Sequence, residues 1–231
     1  MRAALAELRE IAHATPALLV ASLFAWALLF GLDERFSVAG VCAWGSQQVQ
    51  MAGLSALLSA LVLNSPSRLL LSGCAMILAM MAPLLRTHVS HVWHRSLSER
   101  RVRSTLLFAL AYALPWIVAL AALAALAALL RASLFSHAQW TLATAGSLAL
   151  LWQFSPLKRR CLARCHVVLP LRAFGAAADL DSLRSGFVAS FWCIGTCWAL
   201  MLIPIAAARA HLMWMVAMSA VGFIDRTRRA R

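Results

Sequence analysis

Four of the six cysteines fall in two C-x-x-x-C pairs, Cys161/Cys165 and Cys193/Cys197. Residues four apart lie on one face of a helix, so each pair can turn two sulfurs toward one point. Thiolates and thioethers are soft ligands that select soft ions, Cu(I) foremost. Met76, Met80 and Met81 add thioethers, and His166 beside Cys165 adds an imidazole. The competing reading is packing. A free cysteine is commonly a buried small hydrophobe, and Met76/Met80 at helical spacing more often pack a core than hold a metal. Cys42 and Cys74 have no cysteine near them in sequence and read as packing residues. His88, His91 and His94 drift about 60° round a helix at each step of three, which favours solvated or headgroup-contacting side chains over a joint site.

Little else in the chain carries chemistry. No Ser/His/Asp set, P-loop or dinucleotide fingerprint is present, and no pair of mid-helix histidines offers axial haem ligands. No ionisable residue other than the thiols falls mid-span, whereas pumps and ion-coupled transporters normally carry one. The expectation is a protein that is not an enzyme.

The elements that must position these side chains are membrane spans. The 231 residues are 63% hydrophobic and 13% charged, with mean hydropathy +0.80, against about 45–50% and about 25% in a soluble domain. At about 20 residues per span, the expectation is an all-α, polytopic transmembrane bundle of about six spans in a single domain over 1–231, with one or two interfacial helices. The spans fall at Ala17–Leu32, Leu69–Leu85, Thr105–Leu130, Ala138–Phe154, Gly186–Ala208 and Leu212–Ile224. Asp33-Glu34-Arg35 follows the first run where a signal peptide would carry a small-x-small site, so that run reads as a retained anchor. Met51 to Leu63 is apolar for only 13 residues, a length that suits an interfacial or re-entrant segment. Pro115 predicts a kink in the third span.

The formal charge of +13 is explained by topology rather than by nucleic acid. Six spans put both termini on one side with basic segments 86–103 and 156–184. All but four (Arg35, Arg68, Arg131, Arg209) of the 21 Lys and Arg then share that side, which the positive-inside rule makes cytoplasmic. A seventh span at 38–63 moves the N-terminus alone. The localisation expected is a bacterial inner membrane.

Depths follow. The chain breaks at Ser155-Pro156, and Cys161 and Cys165 lie just past the fourth span, on a short amphipathic helix along the membrane surface. Cys193 lies about 10 Å into the fifth span at 1.5 Å per residue, with Cys197 one turn deeper. Met80 and Met81 sit near the cytoplasmic end of the second. All can converge in the cytoplasmic half of the bilayer, with Lys158, Arg159, Arg160 and Arg164 lowering thiol pKa values from the surface.

The combination of Met76-x-x-x-Met80-Met81-x-Pro83, Ser155-Pro156-Leu157-Lys158-x-x-Cys161-x-x-x-Cys165 and Cys193-x-Gly195-x-Cys197-Trp198-Ala199-Leu200-Met201 resembles a bacterial family of predicted metal-binding integral membrane proteins, a domain of unknown function. Trp214 and Asp225-Arg226 also fit, and the resemblance runs from about Ser72 to Arg226. The chain is a divergent member. Thr196 stands where the family has a tandem cysteine, Ala189-Ser190 where it often has His-Gly, His166 where an Arg is common, and His211 where an Asn is typical. The family's association with copper supply to copper oxidases implies copper; the residues alone imply a soft metal. The resemblance thus implies a chaperone-like role, delivering Cu(I) to a partner metalloenzyme or another membrane protein. Two other readings stand beside it: a non-catalytic membrane subunit or assembly factor with structural cysteines, and a small-solute transporter bending at Pro83, Pro115 and Gly195.

Overall fold

A backbone surrounded by lipid must satisfy its own hydrogen bonds, and a chain rich in Ala and Leu does so as helix. The computed structural model describes residues 16–31, 66–133, 138–172, 174–207 and 211–228, and over these the chain is all-helical, without a strand. The expectations for Met51–Leu63, Cys42, Arg35 and both ends of the chain lie outside the described residues.

Helix α1 is Pro16–Gly31. Helix α2, Pro66–Met81, passes through a 3₁₀ turn at Ala82–Leu85 into α3, Arg86–Arg95. A second 3₁₀ turn, Ser98–Arg100, leads into α4, Arg101–Ser133. Next come α5, Ala138–Phe154, and the short α6, Pro156–Arg164. The long α7, Gly175–Ala206, precedes α8, His211–Arg228.

Among the described residues three stretches are long and apolar enough to cross a membrane: Gly73–Arg95, Ser98–Leu130 and Gly175–Ala206. That is fewer than the six spans expected, and length is the reason. At 1.5 Å per residue α1 and α5 reach only about 24–26 Å, short of the roughly 30 Å hydrocarbon core. The apolar part of α8 stops at Asp225. The second expected span instead continues to Arg95, and the fifth begins at Gly175, eleven residues before Gly186.

Helix α7 is central. Of its most apolar stretch 67% is buried, against 22% for α4, and it touches α4, α5, α6 and α8. Small residues allow this. Ser182, Gly186, Ala189, Ser190 and Cys193 are all buried along α7, as small residues are where membrane helices approach closely. At Gly186 a side chain would run into the Phe108 carbonyl and Ala111 of α4. Helix α4 answers with Ser104, Phe108, Tyr112 and Trp116, spaced four apart and buried, while Leu106, Leu110, Leu114 and Val118 face outward.

Prolines act differently at each position. Pro83 has no N–H to give the Ala79 carbonyl, which a continuous α-helix would require; the Ser22 hydroxyl of α1 donates to that carbonyl at 2.7 Å. Helix α4 runs unbroken through Pro115. Two further expectations are corrected. Cys74 is exposed on the outer face of α2 rather than packed. His88 is buried near Phe108 rather than solvated, and the half-buried His91 bonds the Leu169 carbonyl through Nε2 at 3.1 Å.

The basic segments meet at one end. Asp179, in the second turn of α7, pairs with Arg100 at 2.8 Å and Arg103 at 2.6 Å, and Asp181 holds the Arg172 guanidinium and backbone N–H.

Candidate metal centre

Ser155 caps α6 by accepting the Leu157 N–H at 3.1 Å, with Pro156 at the first helical position, a standard helix start. The resulting amphipathic helix buries Lys158, Leu162 and Cys165 and leaves Arg159 and Arg160 exposed. Two contacts fasten this region to α7. The Arg164 guanidinium stacks over the Trp192 ring at 4.8 Å, and Trp152 of α5 donates to the Gly195 carbonyl at 3.0 Å.

Cys165 and Cys193 come together beneath this lid. Both are buried, and the Arg226 guanidinium reaches both sulfurs. The Cys193 sulfur also accepts from the Tyr112 hydroxyl at 3.1 Å and lies 3.8 Å from Met81 Sδ. In a trigonal site with bonds near 2.3 Å, as in zinc thiolates, sulfurs stand about 4 Å apart, so the Cys193–Met81 spacing fits two ligands of one soft ion. Cys197, one turn on, is also buried, and its sulfur lies 3.4 Å from the Thr196 hydroxyl. Thr196 also donates to the Cys193 carbonyl at 2.8 Å. Among the described residues no three His, Cys, Asp or Glu side chains are already arranged as a metal cage; the convergent set needs the Met81 thioether.

The third element is Arg226, near the end of α8. It is buried, donates to Cys165 Sγ at 2.6 Å and the Cys165 carbonyl at 3.3 Å, and approaches Cys193 Sγ at 3.9 Å. Lys158 takes a different partner from the one expected. Its ammonium is buried against Asp225 at 2.5 Å and also donates to Gln153, and Gln153 itself donates to Asp225 at 2.5 Å. The cation facing the inner thiols is therefore Arg226, reaching them from the last helix.

The other expected ligands separate. Met80 and Cys197 line a narrow gap between α2, α7 and α8 together with Met81, Met201 and Met218, while Met76 is packed in the core. Cys161 lies on another side of α7: a Cβ on Gly195 would stand 2.8 Å from its sulfur, and Gly195 is about 200° round the helix from Cys193. Partial burial pushes the Cys161 thiol pKa up, opposed by Arg164. His166 is half-buried, its pKa lowered by burial and then by Arg226. Contact with Cys193, then burial, pushes the Cys165 thiol pKa up.

A family model described as PpoB2, copper chaperone, matches residues 70–231. The chain belongs to the PpoB2 copper chaperone family. The PpoB2 match begins in α2, at Leu70, and takes in the thioethers, both cysteine pairs and Arg226. No curated protein and no solved structure matches the chain.

Tyr112 and Arg226 were not candidates by residue type. The one signal for Arg226 was its place in the Asp225-Arg226 element of the family pattern; Tyr112, the sole tyrosine, had none.

Proposed function

We propose that this protein holds Cu(I) as cargo in the membrane and passes it to a partner metalloenzyme during that enzyme's assembly, without catalysing a reaction. Family membership supplies copper, and one observation carries the site: Cys165, Cys193 and Met81 converge from three separate segments on one buried point. Cys165 and Cys193 are the thiolate ligands in this reading, with Met81 as thioether and Cys197 and Met80 on the adjoining gap as the next soft positions. Exchange between neighbouring sulfurs suits an ion that is handed on, since soft thiolate and thioether ligands all suit Cu(I). Cys161, His166 and Met76 stand outside that inner set. The membrane arrangement we favour has six helices crossing, with the shorter α1, α5 and α8 completing the bundle, and both termini cytoplasmic in a bacterial inner membrane.

Purified protein in detergent, loaded with Cu(I) under reducing conditions, is expected to retain about one copper per chain. Cys165→Ser/Cys193→Ser should retain none while keeping its helical circular dichroism. Equal copper retention by the double variant and the parent would discard the metal reading. It would favour cysteines that only pack helices, as Cys161 does on Gly195.

A further inference from the structure

A buried arginine needs an anion, and Arg226 has no carboxylate among the described residues. Its neighbour Asp225 is taken by Lys158 at 2.5 Å and by Gln153. The guanidinium instead spans two sulfurs and one carbonyl: Cys165 Sγ at 2.6 Å, Cys193 Sγ at 3.9 Å and the Cys165 oxygen at 3.3 Å. The Lys158–Asp225 pair is internally neutral, so the cation that reaches the sulfur pair is the Arg226 guanidinium.

Charge counting then separates ions. A soft metal binding to Cys165 and Cys193 displaces two thiol protons to solvent. A monovalent ion on two thiolates carries a net charge of minus one, and Arg226 brings the buried assembly to zero. A divalent ion on the same thiolates is neutral, so Arg226 stays as uncompensated as it is beside two protonated thiols, and only the monovalent ion gains from the guanidinium. Met81, Tyr112 and a Cys197 that keeps its proton are neutral and do not alter the count. We propose that Arg226 is the specificity-determining counter-charge of this site, selecting Cu(I) over divalent ions such as Zn(II). The inference rests on the metal-holding role proposed above.

The test uses full-length protein in detergent micelles. Cu(I) affinity is read by competition with a chromogenic Cu(I) chelator, and Zn(II) affinity by competition with a chromogenic Zn(II) chelator. Arg226→Gln should weaken Cu(I) binding at least about tenfold while leaving Zn(II) binding unchanged or tighter, because only the monovalent complex loses its counter-charge. Arg226→Lys, which keeps the charge, should hold the Cu(I)/Zn(II) ratio within about threefold of the parent. Should Arg226→Gln not fold, Arg226→Met keeps the stem packed and carries the same expectation. Equal loss of both metals in the neutral variants, or no change in either, overturns the counter-charge role while leaving the copper site standing. A parent protein that binds neither ion removes the site itself, and the inference with it.

Discussion

Gly195 is a glycine because a sulfur occupies the space where its side chain would be. The Cys161 thiol lies 2.8 Å from that position, and the Gly195 carbonyl takes the Trp152 indole from another helix. Gly195→Ala should therefore push α6 off α7 and destabilise the protein by roughly 1–3 kcal/mol, as overpacking does. In a thermal unfolding series in detergent, Gly195→Ala should lower Tm, and adding Cys161→Ala should restore most of the loss. No recovery in the double variant would mean that the clash is not with this sulfur. The same packing separates the two thiols of the Cys161/Cys165 pair: one fills a groove on Gly195, and the other reaches the sulfur of Cys193.

At the scale of elements, α6 is held by a polar latch. Lys158 is 5% exposed and Asp225 26% exposed at the side chain, and the pair joins α6 to α8 with Gln153 of α5 as the third member. Removing one partner of a buried ion pair costs roughly 3–5 kcal/mol. Because Asp225 keeps some water, Lys158→Ala should fall at or below the low end of that range. Lys158→Met/Asp225→Leu, which removes both charges and keeps apolar volume, should be closer to the parent than either single variant. Chemical unfolding in micelles checks the order, and additivity of the two single losses would show that the latch carries no coupling. Since Arg226 is the next residue on α8, a loosened latch should also weaken Cu(I) retention.

Over the whole molecule, charge is gathered at one end. Arg100 and Arg103 bridge to Asp179, and His91 reaches Leu169, so segments 86–103 and 156–172 meet there although α4 and α5 separate them in sequence. Leu97 and Val168 are both exposed at this end, at 42% and 37%. Cysteines introduced at these two positions should react with a membrane-impermeant thiol reagent from the same face of the membrane, the cytoplasmic face by the positive-inside rule. Labelling from opposite faces would refute the shared end.

Composition and hydropathy alone determined that the chain is helical with stretches apolar enough to cross a membrane, and charge counting led to the expectation that basic segments 86–103 and 156–184 share a side. These are local or summed properties of the chain, legible from composition, periodicity and the distribution of charge. Spacing also found both cysteine pairs. Spacing does not reveal which face of a helix looks at which neighbour, and here that choice is made by packing. The close approach at Gly186 turns Cys193 toward Tyr112 and Met81, while Gly195 takes Cys161 on another side. Lys158 read as a cation for the thiols because it precedes them in the chain. Only the tertiary structure, by bringing α8 beneath α6, gave Lys158 to Asp225 and the sulfurs to Arg226.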